Sequence, residues 1–290
     1  MTIVRGSVQL REGEPADAAE CGRICYEAFR TIAEEHGFPP DFPSAEVAAG
    51  LLSGLLQHPG FYCVVAERDG RIVGSNFLDE RSPIAGLGPI TVDPSAQNSR
   101  AGRALMLAAL DRVRERGSPG VRLLQAAYHN RSLSLYAKLG FEIREPIATM
   151  QGQPIGREVP GYAVRPGRET DLDGCNALCR NVHGHDRGGE LVDAIGAGTA
   201  RVVEHDGRIT GYTTAVAYFA HSVGETNEDL KALIGAATEF GGPGFLVPVR
   251  NGELFRWCLD EGLRVVQVMT LMTLGLYNEP AGAYLPSILY

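Results

Sequence analysis

The sequence predicts a mixed α/β protein made of two related halves, each a mixed sheet with helices on its faces. Three observations carry that reading: strand and helix patterns in the order βααβββαβαβ, Asp-Gly hairpin turns at matching places, and an internal repeat. Leu10-Arg11-Glu12-Gly13 returns in outline as Val164-Arg165-Pro166-Gly167. At the same offset of 154, Asp17 answers to Asp171, Cys21 to Cys175 and Cys25 to Cys179. Asp69-Gly70-Arg71-Ile72-Val73-Gly74 reappears as Asp206-Gly207-Arg208-Ile209-Thr210-Gly211 at an offset of 137, and Leu139-Gly140-Phe141 resembles Glu261-Gly262-Leu263 at 122. A duplication followed by loop deletions in the second copy leaves this kind of ordered, shrinking offset.

The elements of the first half follow in order. The alternation Ile3, Val8, Leu10 predicts a first strand around 8–11, and Pro15 and Asp17 are cap residues for a helix over 18–33. A Pro-rich loop at 37–43 precedes a second helix at 45–56. Strands at 62–67 and 72–78 flank the Asp69-Gly70 turn, and another strand covers 88–92. Residues 101–116 form an amphipathic helix, with Leu105, Leu107, Leu110 and Val113 inward. A strand at 121–127, a helix at 132–139 and a strand from 141 to 145 complete the half. The Gly- and Pro-punctuated run 149–161 is the expected linker, which sets domains at 1–148 and 162–290.

With 290 residues, 44% hydrophobic and 21% charged, the chain can bury two cores, which excludes wholesale disorder. Lys and Arg total 27 against 35 Asp and Glu, a net charge of −8, so neither nucleic acid nor an anionic membrane is an expected partner. No apolar run reaches the ~18 residues of a membrane span, and residues 1–13 lack a signal-peptide layout. Six cysteines without a C-x-x-C pair read as buried free thiols of a cytoplasmic protein. His183-Gly184-His185-Asp186 lacks further spaced ligands, so no metal is expected.

The most informative stretch is 90–105, ITVDPSAQNSRAGRAL. A strand ends at Val92, Asp93-Pro94 turns the chain, and a glycine-bearing loop opens a helix. Such a loop presents uncommitted backbone N–H groups to an anion at the positive end of a helix. It is neither a Walker loop nor a G-x-G-x-x-G turn. One strand later comes HNRSLSLYAKLGFE, residues 129–142.

Together these stretches resemble the GCN5-related N-acetyltransferase (GNAT) superfamily over about residues 7–147. Its V-x-P-x-x-Q/R-x-x-G-x-G/A pattern is matched by Val92, Pro94, Gln97 and Gly102, and its N-x-x-A-x-x-L-Y-x-K-x-G-F pattern by Leu135-Tyr136-Ala137-Lys138-Leu139-Gly140-Phe141. Arg100 stands in place of the first loop glycine and His129 in place of the asparagine, with Asn130 beside it. The resemblance implies an acyl-CoA N-acyltransferase fold. It also implies an acetyl-CoA site formed by Ile90, Thr91, Val92, Gln97, Asn98, Arg100, Ala101, Gly102, Arg103, Ala104 and Asn130.

The activity implied is direct attack by an amine of a small molecule or peptide on the thioester. A backbone donor near 88–91, where Gly86-Leu87-Gly88-Pro89 suits a bulge, would serve the oxyanion. Tyr136 matches the acid for the leaving thiolate, and Glu80 is preferred to Asp79 as base. In the second half the loop motif is missing and Cys258 stands at the tyrosine position, although Asn251 keeps the asparagine position. That half therefore reads as a degenerate GNAT-like domain that shapes the acceptor pocket or an interface, and a homodimer stays open. A non-catalytic acyl-CoA sensor and an enzyme using a longer acyl chain remain alternatives.

Overall fold

The computed structural model describes residues 8–289; Ile3, part of the expected first-strand pattern, lies outside them. The first half runs β1 (Gln9–Glu12), a 3-10 turn (Pro15–Asp17), α1 (Ala18–Glu35), α2 (Ala45–Gln57), β2 (Phe61–Arg68), β3 (Arg71–Asp79) and β4 (Ala85–Val92). It continues with a second 3-10 turn (Pro94–Ala96), α3 (Ala101–Glu115), β5 (Gly120–Ala126), α4 (Asn130–Lys138) and β6 (Glu142–Gln151). The second half repeats the order as β7 (Tyr162–Pro166), a 3-10 turn (Glu169–Asp171), α5 (Leu172–His183), α6 (Gly188–Gly196), β8 (Arg201–His205) and β9 (Arg208–Thr213). Then come β10 (Ser222–Gly224), α7 (Asn227–Gly235), β11 (Phe245–Pro248), α8 (Gly252–Asp260) and β12 (Arg264–Gly275). A further strand, β13 (Ala283–Leu285), has no counterpart in the first half.

The repeat extends to individual ion pairs. Arg11 grips both oxygens of Asp17 at 2.7 Å and reaches Glu67 at 2.7 Å. Arg165 grips Asp171 at 2.7 and 2.9 Å and reaches Glu204 at 2.7 Å. Each aspartate also accepts the backbone N–H three residues earlier, at 2.9 Å, so it caps the turn that opens its helix. Its guanidinium partner holds each carboxyl below the usual range. Behind these turns, all six thiols are free and buried, and burial pushes Cys21 up to about 11 and Cys175 up to about 12. They are packing residues, too weakly ionised to act as nucleophiles.

Contacts divide the chain into two compact units, residues 8–80 with 85–121 and residues 81–84 with 122–289. The first holds the antiparallel run β1-β2-β3-β4. Helices α1 and α2 cross closely because residue 22 is glycine: a Cβ there would lie 2.3 Å from the Ala49 Cα. The second holds the run β5-β12-β6-β11 and a separate sheet, β13-β10-β9-β8-β7.

This division departs from the halves set by the repeat, and the strand pairing explains why. Strand β6 continues to Gln151, well past the expected end near 145, and irregular backbone covers only 152–161 of the expected linker. Along its length β6 pairs with β12 (Ile147 opposite Met269) and with β11 (Ala148 opposite Val247), both from the second half. Strand β12 in turn neighbours β5. Each half has lent the last strand of its repeat, β6 or β12, to the other.

The second unit buries a polar chain within its α5–α6 core. Arg187 donates to Glu190 at 2.6 Å, His221 Nδ1 lies 2.9 Å from Glu190, and the Tyr212 hydroxyl 3.0 Å from His221 Nε2. A carboxylate can only accept, so Nδ1 carries the proton and Nε2 accepts from the tyrosine. Burial, aided by the Arg187 charge, pulls His221 down to about 4; burial and the Arg122 charge do the same to His185, and His183 is lowered as well.

The folded state therefore keeps these rings neutral while the unfolded chain protonates them near 6.5. Stability from this source is intact above pH 6.5 and is lost as pH falls toward 4, by up to ~1.4 kcal/mol per pH unit for each ring. Urea melts at pH 7.5, 6.0 and 5.0 should show that decline, and a flat profile would contradict it.

Candidate active site

Of the residues expected to hold the acyl donor, those from Ile90 to Ala104 belong to the first unit. Ala96 and Ala101 are buried with Leu105 against Val64, Ala66 and Val73, so both ends of the loop are anchored to the sheet. Asp93 fixes its entry: one oxygen accepts from the Ser95 N–H at 2.8 Å and the other from Arg23 at 2.9 Å. Between the anchors, Asn98 (φ 67°) and Arg100 (φ 70°) adopt left-handed backbone. Of the two conformations open to Arg100, the structure shows the one that favours glycine, at a cost of order 1–3 kcal/mol.

Helix α3 starts immediately after Arg100. Its first intrahelical bond is the Ala104 N–H to the Arg100 carbonyl at 3.0 Å, and Ser99 Oγ sits 3.4 Å from the Ala101 nitrogen. The N–H groups of Gly102 and Arg103 find no acceptor among the described residues. Exposed Gln97, Asn98, Arg100 and Arg103 surround them, and Ala104 is half-buried. Two uncommitted amides at the positive end of a 15-residue helix, flanked by two arginines, make a place for phosphate.

Strand β4 carries the expected bulge. Asn76 faces Ile90 but Leu78 faces Leu87, so the register slips by one across Gly88-Pro89, where Gly88 takes φ 139°. Pro89 has no N–H, and Thr91 faces Ser75 in the β3 ladder, two residues before the Asp93 N–H donates to Val73, which leaves Ile90 as the donor next to the bulge. Thr91 is buried, and its hydroxyl has no hydrogen-bond partner among the described residues. Asn76 donates to the Leu105 carbonyl at 3.3 Å and so ties β3 to α3.

Glu80 occupies a different setting from that expected of a base. Its side chain is 5% exposed, and its oxygens accept from Arg112 at 2.8 and 3.1 Å and from Arg116 at 3.0 Å. With both oxygens held by guanidinium groups, the carboxylate clamps the end of β3 to α3, an arrangement unsuited to taking a proton. Asp79, the preceding residue, points to the other face of the strand by alternation and is buried.

Tyr136 and Asn130 belong to the second unit. Asn130 is exposed and opens α4, where its carbonyl accepts from Ser134. Tyr136 is 7% exposed, with its ring tilted against Phe141 at 6.1 Å between centroids. Burial raises its pKa, so the phenol keeps its proton across the neutral range.

One buried charge escaped sequence reasoning. Arg122, inside the apolar strand Val121-Arg122-Leu123-Leu124, is 0% exposed and stacks 5.1 Å from the Tyr277 ring, which Arg144 approaches at 4.6 Å. Burial pulls Arg122 down to about 9. A lone cation in an otherwise apolar strand was the available signal.

The second half lacks the loop altogether. Only Glu225 and Thr226 separate β10 from α7, and Asp229 accepts from the Thr226 N–H and hydroxyl at 2.9 Å each. Cys258, at the tyrosine position, is fully buried and raised to about 12, while Asn251 caps α8.

Parts of the sequence and the fold are shared with known proteins. Residues 25–141 match the sequence model of the acetyltransferase (GNAT) family, and the chain as a whole shares the fold of a tandem GNAT protein. Over 146 residues it is 30% identical to a mycothiol acetyltransferase of Nocardia farcinica (strain IFM 10152), and over 78 residues 41% identical to one of Thermomonospora curvata. The matched segments span 49% and 27% of this chain but only 47% and 26% of those proteins. A Pyrococcus horikoshii protein solved as a candidate acetyltransferase shares the fold over 97% of this chain and 96% of its own, with TM-score 0.73 and 17% identity. A tandem GNAT protein from the clavulanic acid biosynthesis pathway does so over 97% and 100%, with TM-score 0.57 and 16% identity. Among the described residues, no helix is long and apolar enough to cross a membrane.

Proposed function

We propose that the chain is an acetyl-CoA-dependent N-acetyltransferase with one working donor site, in the N-terminal half, and a small-molecule amine as acceptor. The uncommitted amides of Gly102 and Arg103 between two arginines carry this reading, because they suit the donor's pyrophosphate. The bulged strand would align the thioester along Ile90 and Thr91, with the Ile90 N–H serving the developing oxyanion. The amine nitrogen attacks the thioester carbon as the carbon–sulfur bond breaks. Asp79, on the opposite face of the chain from the Glu80 clamp, is assigned to accept the proton from the amine, and Tyr136 to give its phenolic proton to the departing thiolate. The mycothiol acetyltransferase relatives favour a small acceptor over a peptide.

Titration with acetyl-CoA tests the site. One equivalent should bind, and Gly102→Asp should weaken binding ~100-fold or more, because a like charge beside phosphate costs several kcal/mol. An acidic residue in the first helical turn favours the helix, so the fold should survive the change. No binding by the parent protein would sink the proposal.

A further inference from the structure

We propose that β13 is the permanent occupant of a second, vestigial acyl-donor groove, so that the chain takes one acyl-CoA molecule and closes the other groove with its own backbone. The internal repeat locates that groove residue by residue. In the first half, Gly74 on β3 faces Val92 on β4. Gly211, the repeat partner of Gly74, faces Gly224 on β10. Ser222, Val223 and Gly224 are therefore the counterparts of Ile90, Thr91 and Val92, the strand assigned above to the donor.

Those three residues are the ones β13 takes. Ser222 pairs with Leu285, Val223 with Tyr284 and Gly224 with Ala283. On its other side β13 runs beside β11, the counterpart of β5. The strand thus lies where β10 and β11 part, adding itself to the β10 edge as a peptide ligand adds to an open sheet. Tyr284 pins it by donating to Glu145 at 2.6 Å. Gly282 lets it approach, since a Cβ there would sit 2.8 Å from the Gly224 carbonyl oxygen and from Val182 Cγ2.

The phosphate end is closed as well. At the start of α7, Asp229 holds the Thr226 N–H and hydroxyl and places a negative charge where the first half offers uncommitted amides. A cavity of about 370 Å³ remains beside β13, lined in part by Thr226, Asn227, Arg250, Asn251 and Tyr284. Its polar groups already serve one another. Asn227 and Asn251 exchange amide hydrogen bonds at 3.1 and 2.7 Å, and Arg250 reaches Glu145 and Glu279 at 3.2 Å each.

The inference takes its name for the groove from the proposed donor site, yet its test reads the β10 edge directly. Amide hydrogen exchange of the full-length protein, with and without acetyl-CoA, should find 222–224 and 283–285 exchanging ~100-fold or more slowly than an open edge. The rates at both segments should be the same in both conditions. Gly282→Val should speed exchange at 222–224 at least ~10-fold and leave acetyl-CoA affinity at the parent value. If that variant fails to fold, the parent protein's exchange decides. Open-edge rates at 222–224 in the parent, a second bound equivalent of acetyl-CoA, or loss of protection at 283–285 on adding acetyl-CoA would each overturn the proposal. Absence of any acetyl-CoA binding would instead strike the proposed function, with the β10 rates still deciding this one.

Discussion

Tyr136→Phe should lower turnover ~100- to 1000-fold and leave acetyl-CoA affinity and melting temperature close to the parent values. The substitution removes one oxygen and keeps the ring against Phe141, so packing in α4 is preserved. What is lost is the proton. A buried phenol with a raised pKa is fully protonated at neutral pH, and thiolate departure is the step that needs a proton. Steady-state rates with an amine panel, alongside donor titration, separate the readings. A drop in kcat with donor affinity unchanged marks Tyr136 as the acid. Unchanged turnover would mean that the thiolate leaves unaided and the tyrosine only packs. A protein that binds acetyl-CoA but turns over no amine would be a sensor.

Cutting the chain in the 152–161 segment should abolish independent folding of the first half. Residues 1–161 contain β5 and β6, whose shared neighbour β12 lies in the other fragment. Alone, that fragment would bare the two strand edges facing the missing β12, together with Ile147 and Ala148, now both fully buried. Unpaired apolar edges favour aggregation over a closed monomer. Expressed separately, residues 1–161 should lack a cooperative melt and precipitate, whereas co-expression with 162–290 should yield a soluble one-to-one complex. A sharp thermal transition for 1–161 alone would show that the exchange is dispensable.

Much of this fold can be read in the sequence. The amphipathic stripe of α3, the Asp-Gly turns and the cap at Asp17 are local signals, and the elements they predict appear within a residue or two. The repeat was legible for the same reason, since Arg11 with Asp17 and Arg165 with Asp171 solve one local capping problem twice. Strand partners were not legible. Nothing in the run 142–151 tells whether it will pair with its own half, because either partner buries Ile147 and Ala148 equally well. The setting of Glu80 was hidden likewise, because its partners Arg112 and Arg116 lie 32 and 36 residues away and read from sequence as solvent-facing helix charges. The sign of φ at Arg100 was out of reach too, since an arginine gives no local reason to choose left-handed backbone.

The exchange of β6 and β12 sets a schedule for synthesis. When β5 leaves the ribosome, the residue that will receive the Ala127 N–H, Val268, is about 140 residues from being made. At 5–20 residues per second, the nascent first half waits on the order of ten seconds with that flank uncovered. Until β12 arrives it is a client for whatever shields apolar strands in the cell. A slow codon between 151 and 268 would lengthen its exposure without altering a single residue of the finished protein.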